Sequence, residues 1–414
     1  MDYIINGKTR LGGEISAYGA KNCALALLGA TVLTNDTVVL TNCPEIEDVN
    51  NMLRLLQAMG KKVQRRFDTV QIFGGLTTTA APERYTTLIR GSALILGSTI
   101  ARYHGIELPL PGGCAIGARP MDIHLAGLEA MGINVEEAPD RVRCNGVPRG
   151  VNYNLRFASV GATENLLCAS VLAKGETTLS NCATEPEVVA LEEMLVSMGA
   201  KIRGIGETTV VINGVDRLHG AVFKVIPDRI VVATYLAAAV ATCGDLTVTN
   251  CCPVHLKAFT DVLRPHFTLR EYDDAVRIVA ERQPSSYGKI TTAPYPLFPT
   301  DMQSLIMSLA AFSDGGQTEI CEKLFENRLQ HNATELGKMG ATIEVNDDVA
   351  TVVGCRIHAA TVRSHDLRGG AGLVVAALNA DGVSRVCDVE HVNRGYCKLA
   401  QNLNSIGAKI DVVD

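Results

Sequence analysis

The chain has 414 residues, of which 47% are hydrophobic and 20% are charged, the balance of an ordinary globular protein. At roughly 150 residues per domain this length predicts two or three domains. Disordered, collagen-like and coiled-coil proteins have a different balance. The 38 Lys and Arg residues against 44 Asp and Glu residues give a net charge of −6, which argues against general nucleic-acid binding.

The beginning of the chain, Met1-Asp2-Tyr3-Ile4, contains an early acid and no long apolar run, so it does not form a signal peptide. Apolar runs such as Ile230 to Thr242 are shorter than the ~20 residues that span a bilayer, and buried helices explain them better. We therefore expect a cytoplasmic protein without membrane association. Its 13 cysteines should be reduced, and none has the spacing of a zinc site.

A unit of about 69 residues repeats along the chain. Strand-like runs end in Asn-Cys at Cys43, Cys182 and Cys251, which are 139 and 69 residues apart. Helical runs follow the strands and end at a glycine in most copies, whereas the fourth copy ends near Thr268 without one. These glycines are Gly60, Gly132, Gly199, Gly340 and Gly407. The pattern predicts six copies, with turns near Asn35, Gly105, Gly175, Gly244, Gly316 and Gly382.

Five copies have a cysteine directly after the strand: Cys43, Cys182, Cys251, Cys321 and Cys387. A cysteine repeated at one structural position is best interpreted as a small buried hydrophobic residue. Each copy is α/β and cannot bury its apolar face alone, so six copies predict two domains of three, divided near residue 227.

The second copy is longer than the others, and its extra residues fall in a Gly/Pro-rich loop that contains Cys114 and Arg119. A thiol five residues from an arginine and close to a helix N-terminus could have a lowered pKa. The alternative is a loop cysteine without function, and the repeat pattern alone favours neither interpretation.

Other copies depart from the pattern at polar residues beside helices. Lys21 and Asn22 precede an apolar helix predicted from Ala24 to Leu33. Asp301 ends a Pro-rich loop, where it is well placed to cap the next helix. Arg328, Arg368 and Arg394 each lie in a predicted short polar turn, and arginines that converge from several repeats would bind an anion.

Seven motifs in chain order carry a resemblance to the UDP-N-acetylglucosamine enolpyruvyl transferases (1-carboxyvinyltransferases). They are Gly19-Ala20-Lys21-Asn22, Pro111-Gly112-Gly113-Cys114-Ala115-Ile116-Gly117-Ala118-Arg119-Pro120, Ser159-Val160-Gly161-Ala162-Thr163, Pro227-Asp228-Arg229-Ile230, Phe298-Pro299-Thr300-Asp301-Met302-Gln303, Phe325-Glu326-Asn327-Arg328 and Asp366-Leu367-Arg368. The resemblance implies an inside-out α/β barrel fold with three βαβαββ repeats in each of two domains. Residues 21–227 would form the domain with the Cys114 loop, residues 1–20 plus 228–414 the other, and the active site would lie in the cleft between them.

The resemblance also implies a reaction. Phosphoenolpyruvate would transfer its enolpyruvyl group to the 3'-hydroxyl of UDP-N-acetylglucosamine, with release of phosphate through a tetrahedral intermediate. This is the first committed step of peptidoglycan synthesis, on which cell shape and division depend. It needs the two small-molecule substrates, no metal or redox cofactor and no obligate protein partner.

The resemblance assigns residues to these roles. Lys21, Arg119 and Arg394 match the cations that bind phosphoenolpyruvate, with support from Asn22, Arg328 and Arg368. Cys114 matches the reactive cysteine, a proton donor or covalent nucleophile, and Asp301 matches the general base near the sugar hydroxyl. The residues implied near the UDP-sugar are Asn22, Arg90, Pro120, Met121, Asp122, Ile123, His124, Ser159, Val160, Gly161, Asp301 and Leu324.

The sequence departs from the family pattern at Phe157, Val231, Asn393 and Cys397, where other members carry polar or charged residues. Two further functions remain open. One is the related enolpyruvyl transferase of the shikimate pathway, which lacks the Cys114 loop. The other is a paralogue that binds the nucleotide sugar without catalysis, against which the presence of Lys21 and the other central residues weighs.

We predict that Cys114 is alkylated by an epoxide phosphonate such as fosfomycin in preference to Cys43, Cys182 or Cys251, because a loop thiol beside cations is the more reactive thiolate. Peptide mass spectrometry after limited labelling would show this. Labelling spread evenly over the cysteines would contradict the prediction.

Overall fold

The computed structural model describes residues 1–112, 121–325 and 327–414, which form 23 strands and 14 α-helices. The strands are β1 (Asp2–Asn6), β2 (Gly12–Ser16), β3 (Val38–Thr41), β4 (Lys62–Arg66), β5 (Thr69–Phe73), β6 (Gly105–Pro109), β7 (Asn134–Glu137), β8 (Arg141–Asn145), β9 (Asn152–Asn154), β10 (Glu176–Ser180), β11 (Lys201–Arg203), β12 (Thr209–Asn213), β13 (Val222–Lys224), β14 (Asp245–Thr249), β15 (Thr268–Glu271), β16 (Ala275–Val279), β17 (Lys289–Thr291), β18 (Gln317–Cys321), β19 (Thr342–Asn346), β20 (Val349–Val353), β21 (Thr361–Arg363), β22 (Val383–Cys387) and β23 (Ile410–Val413). The α-helices are α1 (Lys21–Ala30), α2 (Glu47–Ala58), α3 (Glu83–Thr86), α4 (Ile95–Tyr103), α5 (Asp122–Ala130), α6 (Val160–Ser170), α7 (Pro186–Ser197), α8 (Arg229–Ala241), α9 (Lys257–Leu263), α10 (Gln303–Ala311), α11 (Arg328–Lys338), α12 (Leu367–Asn379), α13 (Glu390–Asn393) and α14 (Leu399–Ser405).

The described residues form two compact units. Unit 1 comprises residues 19–112 and 121–226, and unit 2 comprises residues 1–18 and 227–414. Unit 1 contains the sheets β13-β3-β5-β4, β6-β8-β7 and β11-β12-β10-β9, and unit 2 contains β15-β16-β14-β2, β17-β18-β20-β19 and β21-β22-β1-β23. None of the described helices is long and apolar enough to cross a membrane.

The six sheets confirm the sixfold repeat. In the third repeat, β9 runs parallel to β10 across the helix α6, and after α7 the hairpin β11–β12 adds antiparallel to β10. This is a βαβαββ unit, and the fifth repeat follows the same order along the chain, from β17 to β20. The first, fourth and sixth repeats complete their sheets with β13, β2 and β1, which lie elsewhere in the chain. The second repeat is reduced, because its first strand is represented only by the parallel bridge between Ala80 and Glu107. Strand β1 completes the sixth sheet and β2 begins the fourth, so unit 2 uses both ends of the chain.

Three apolar helices form the centre of each unit: α1, α4 and α6 in unit 1, and α8, α10 and α12 in unit 2. Every residue of α8 is buried, which confirms the buried helix predicted from the apolar run at Ile230. A helix that is apolar on all faces must be enclosed on all sides, and here α8, α10 and α12 pack on one another and on the sheets. Several of the site residues described below, including Lys21 and Arg368, lie at the N-terminal ends of such central helices.

The glycines predicted to end the outer helices have the left-handed conformation that this role requires. The φ angles of Gly60, Gly132, Gly199, Gly340 and Gly407 lie between 83° and 120°. A side chain on these residues would be strained, so glycine ends the helix and starts the following strand.

The repeated asparagine before the cysteine also has a structural cause. Asn42, Asn181 and Asn250 have φ angles of 55°, 56° and 50°. Their side-chain amides donate hydrogen bonds of 2.8, 2.7 and 2.6 Å to the backbone oxygens of Val225, Leu155 and Ala17 respectively. Each of these carbonyls belongs to the segment that leads into a central helix, so the asparagine fixes the entry to that helix.

The prediction that the repeated cysteines are buried was correct for four copies, including Cys321, and wrong for Cys387, whereas their predicted position after the strand was correct for three copies. Cys43, Cys182 and Cys251 are buried, and burial raises the pKa of each thiol, to about 11 for Cys43 and about 12 for the other two. Cys321 and Cys387 are instead the last residues of β18 and β22, and Cys387 is only partly buried. These two copies lack the Asn-Cys sequence, which in the other three places the cysteine two residues after the strand.

We predict that Asn250→Ala lowers the free energy of unfolding of unit 2 by about 2 kcal/mol, because alanine loses the hydrogen bond to Ala17 and is strained at positive φ. Asn250→Gly should cost about 1 kcal/mol, since glycine loses only the hydrogen bond. Urea unfolding of both variants, with the surface variant Asn346→Ala as control, measures this. An equal loss for the alanine and glycine variants would contradict the conformational explanation.

Candidate functional site

The most charged cluster in unit 2 is formed by Asp301 and two buried arginines. Asp301 Oδ1 lies 3.4 Å from Arg328 Nη2, and Asp301 Oδ2 lies 3.2 Å from Arg368 Nη2. The arginine side chains are 3% and 4% exposed, whereas the Asp301 side chain is 27% exposed. The cluster therefore presents one accessible carboxylate above two enclosed guanidinium groups.

The two arginines lie in the first turns of helices, contrary to the prediction that they lie in polar turns. Arg328 is the first residue of α11, and Arg368 is the second residue of α12. Asp366 caps α12, since its carboxylate accepts hydrogen bonds from the backbone N–H groups of Arg368 and Gly369 at 2.9 and 3.0 Å. The polar segments around the two arginines are thus the N-terminal ends of helices rather than turns.

Asp301 is not the helix cap that its sequence position suggests. It lies in the 3-10 turn Thr300–Met302 before α10, and no side chain caps either helix. Asp228 and Asp366 do cap helices, whereas Asp301 contacts the two guanidinium groups. Its carboxylate thus remains available for chemistry with a bound molecule.

The electrostatics of the cluster favour the ionised carboxylate. Burial raises the pKa of Asp301, but Arg368, Arg328 and Arg229 outweigh this effect and hold that pKa well below its usual range. Burial lowers the pKa of Arg368, and the charge of Asp301 more than compensates for it. Asp301 and Arg368 are therefore both charged at neutral pH.

Arg328 also belongs to a chain of hydrogen bonds that runs through Thr300 to Glu322. Its Nη1 donates a 2.6 Å hydrogen bond to the hydroxyl of Thr300, which donates a 2.6 Å bond to Glu322. Leu324, implied near the UDP-sugar, lies in the turn after β18, and its N–H donates to Glu322 at 2.8 Å. Leu324 thus lies in the same polar network as Asp301.

Arg394 follows α13 and is half-buried. Two residues later the ring of Tyr396 lies 5.9 Å from the guanidinium of Arg368, which links the two arginine segments. The departures beside Arg394 have local roles, because Asn393 accepts a 3.3 Å hydrogen bond from the Tyr3 hydroxyl and the Cys397 N–H donates to the Tyr18 hydroxyl at 2.9 Å. These bonds anchor the segment on both sides of the arginine.

In unit 1, Lys21 is the first residue of α1 rather than a loop residue before it, so the helix begins three residues earlier than predicted. Its Nζ lies 2.6 Å from Asp48 Oδ2, and the two side chains are 11% and 4% exposed. Asn22 follows on the same helix. Arg90 begins the 3-10 helix Arg90–Leu94, which packs on α1 at Gly91.

The structure brings together the two segments implied near the UDP-sugar in unit 1. Residues 121–124 open α5 and residues 159–161 open α6, where Ser159 accepts a 3.4 Å hydrogen bond from the Ala162 N–H. A side chain on Gly161 would lie 3.1 Å from the His124 ring, so glycine permits this close approach. The two helix N-termini are therefore adjacent.

Two contacts that the sequence analysis missed hold these segments in place. Asn165 on α6 contacts His124 Nδ1 at 2.8 Å and accepts a 2.8 Å hydrogen bond from the Gly97 N–H. Arg156 forms an ion pair with Asp122. Phe157, at a departure from the family pattern, is 43% exposed beside this pair.

The predicted reactive thiol and its loop concern Cys114, Arg119 and Pro120, which lie outside the described residues. Among the residues that the structure does describe, the sequence analysis also missed Thr300, Glu322 and Asp48. Glu322 could have been found, because the fifth copy has it where the Asn-Cys sequence is expected. Within the described ranges no cluster of three His, Cys, Asp or Glu residues could hold a metal ion.

Comparisons with known proteins give a consistent result. Residues 5–403 match the family model of EPSP synthase (3-phosphoshikimate 1-carboxyvinyltransferase). The chain is 41% identical over 412 residues to UDP-N-acetylglucosamine 1-carboxyvinyltransferase 2 of Caldanaerobacter subterraneus, covering 99% of this chain and 98% of the relative. It is 40% identical over 423 residues to UDP-N-acetylglucosamine 1-carboxyvinyltransferase of Psychrobacter arcticus, covering 100% and 99%.

Solved structures share the fold. The enolpyruvyl transferase NikO from Streptomyces tendae aligns with a TM-score of 0.88 at 24% identity, covering 99% of this chain and 98% of its own. EPSP synthase from Acinetobacter baumannii aligns with a TM-score of 0.74 at 19% identity, covering 100% of both chains. These structures confirm the expected two-domain α/β fold class.

We predict that Asp301→Asn lowers the free energy of unfolding by about 3 kcal/mol at pH 7, because two buried guanidinium groups lose their counter-charge. The carboxylate has a lowered pKa in the folded protein, so this stabilisation is complete above the ordinary Asp pKa of 3.8 and is lost as the pH falls below it. The difference between wild type and variant, from urea unfolding, should be equal at pH 7 and pH 5 and should shrink below about pH 4.

The control is Asp381→Asn, which removes a surface ion pair with Arg356 and should cost less than about 1 kcal/mol. A difference for Asp301→Asn that already shrinks between pH 7 and pH 5 would show that the folded carboxyl group titrates above its usual range, contrary to the arrangement described here.

Proposed function

The chain belongs to the EPSP synthase family and, within it, to the UDP-N-acetylglucosamine 1-carboxyvinyltransferases, and from this membership we propose that it transfers the enolpyruvyl group of phosphoenolpyruvate to the 3'-hydroxyl of UDP-N-acetylglucosamine with release of phosphate. The observation that carries the proposal is the Asp301 carboxylate, ionised and partly exposed between Arg328 and Arg368. A base beside enclosed cations suits a reaction between an alcohol and a small dianion.

In this proposal the arginines bind phosphoenolpyruvate and Asp301 receives the proton of the sugar hydroxyl. A carboxylate whose pKa is held far below its usual range is a weak base. An anionic substrate that binds the same cations would offset their charge and raise the pKa of Asp301. The general base would thus become effective only when phosphoenolpyruvate is bound.

Lys21 and Arg394 complete the set of cations proposed for phosphoenolpyruvate among the described residues. Lys21 is oriented by the carboxylate of Asp48, which lies 2.6 Å from its Nζ. Arg394 is held by the hydrogen bonds of its neighbours Asn393 and Cys397. A substrate with a phosphate and a carboxylate on three carbons needs several cations to hold it and to offset charge in the transition state.

For the nucleotide sugar, we propose the adjacent N-termini of α5 and α6. Free backbone N–H groups and the helix dipole favour an anion such as a diphosphate at such a place. The close contact of Gly161 with His124 and the bond from Asn165 support a preorganised site there. Asn22 and Arg90 are proposed at its periphery, and Leu324 enters the proposal for the nucleotide sugar through the resemblance.

Cys114, Arg119 and Pro120 enter the proposal through the resemblance. Cys114 would donate the proton to C3 of phosphoenolpyruvate or attack C2 as a thiolate, and Arg119 would bind the substrate phosphate. We further propose that the protein acts in the cytoplasm, in the first committed step of peptidoglycan synthesis and thereby in cell shape and division, without an obligate protein partner.

We predict that the purified protein releases phosphate from phosphoenolpyruvate when UDP-N-acetylglucosamine is the acceptor and not when shikimate 3-phosphate is. A continuous phosphate assay with each acceptor measures this.

Asp301→Ala should lower kcat by orders of magnitude while calorimetry still detects binding of the nucleotide sugar.

The matched control is Glu344→Gln, which removes an exposed carboxylate on β19 and should have wild-type turnover. Binding of UDP-N-acetylglucosamine without phosphate release would indicate a non-catalytic paralogue instead. Near-normal turnover of Asp301→Ala would remove this residue from the mechanism.

A further inference from the structure

The fifth repeat breaks the pattern of its own fold at Glu322. In the fourth repeat the N–H of Cys251 donates to Asp274 O, and in the fifth the N–H of Glu322 makes the same bond to Asp348 O at 2.8 Å. Glu322 therefore occupies the position of a buried cysteine, and it is itself 3% exposed. A buried carboxylate in place of a small hydrophobic residue costs free energy unless its oxygens are well bonded.

Both oxygens of Glu322 are bonded. Oε1 accepts hydrogen bonds from the N–H groups of Leu324 and Phe325 at 2.8 and 3.3 Å, and Oε2 accepts a 2.6 Å bond from the Thr300 hydroxyl. The hydroxyl has a single proton, which it gives to Glu322. Its lone pairs must then face Arg328, whose Nη1 donates to it at 2.6 Å.

The hydrogen bond to Thr300 is the shortest polar contact of Arg328 among the described residues. The bond to Thr300 is 2.6 Å, whereas the contact with Asp301 is 3.4 Å, longer than a good hydrogen bond between charged groups. The ring of Phe325, 4.9 Å from the guanidinium, restricts its plane but cannot fix its rotation. Removal of the Thr300 contact would therefore let Arg328 shift relative to Asp301.

We propose that Glu322 is a positioning residue that acts through the Thr300 hydroxyl to hold Arg328 against Asp301. The proposal rests on the function proposed above, since it assigns Glu322 to the enolpyruvyl transfer. In the part of the chain that the structure describes, Glu322 forms no hydrogen bond or ion pair with Asp301 or Arg328. It fixes the direction of the hydroxyl proton and so makes Thr300 an acceptor for the guanidinium.

The kinetic test uses Glu322→Gln and Thr300→Val. Glutamine brings an N–H₂ group against either Thr300 or the two backbone N–H groups, and valine removes the hydroxyl at nearly equal volume. A misplacement of about 1 Å can cost about 10²-fold in rate, so each variant should lower kcat/KM for phosphoenolpyruvate by about 10- to 100-fold. Calorimetric affinity for UDP-N-acetylglucosamine should change by less than about threefold.

Three comparisons separate positioning from a general loss of structure. Thr300→Ser keeps the hydroxyl and should restore most of the activity. The kcat/KM of the double variant should be no lower than that of the less active single variant, because both changes break the same chain of hydrogen bonds. Thr334→Val and Glu344→Gln make the same chemical changes on exposed positions and should match wild type in turnover and thermal unfolding.

A second readout does not depend on turnover. The ¹⁵N resonance of the Arg328 Nε–H group, assigned by its absence in Arg328→Lys, should be sharp in wild type and Thr300→Ser and broadened in Thr300→Val and Glu322→Gln. If wild type releases no phosphate, the proposed function fails while this spectrum still decides whether Glu322 holds Arg328. An unchanged resonance, equal losses of affinity for both substrates, or multiplicative losses in the double variant would overturn the proposal.

Discussion

The arrangement of unit 2 depends on one electrostatic constraint, the need of two buried guanidinium groups for a counter-charge. Arg328 and Arg368 lie at the N-termini of α11 and α12, where the helix dipole already places positive charge. Asp301 offsets both, and its place before α10 brings the starts of three helices to one point. A buried cation without such a partner would destabilise the fold by several kcal/mol, so site and fold are stabilised by the same contacts.

The repeat explains why the polar residues meet there. Each copy delivers the N-terminus of a central helix next to the end of a strand, and the asparagine of the Asn-Cys sequence fixes that junction in three copies. The fifth copy has Glu322 at this junction instead. Its carboxylate accepts a hydrogen bond from the Thr300 side chain as well as from backbone N–H groups. A structural position of the repeat is therefore part of a side-chain hydrogen-bond network in this copy.

Features that recur along the chain could be predicted from the sequence, because periodicity supplies its own check. The six repeats and the helix-ending glycines were predicted in this way, and the buried helix at Ile230 was predicted from the length of its apolar run. The start of α1 at Lys21 was missed because Ala20, before it, offers no side-chain cap to mark a helix start. The interpretation of Asp301 as a cap was wrong because its partners lie 27 and 67 residues further along the chain, beyond the reach of local pattern.

The lowered pKa of Asp301 has a consequence for the order of events in the proposed reaction. With its cations unoccupied, the carboxylate is ionised yet too weak a base to take a proton from an alcohol. In the proposed reaction an anion bound to the same arginines would raise that pKa, so the substrate that supplies the electrophile would also activate the base. Such a coupling protects the sugar hydroxyl from unproductive deprotonation before phosphoenolpyruvate arrives. It also requires that Arg328 keep its direction when the anion binds, which is the role that the Glu322–Thr300 chain can perform.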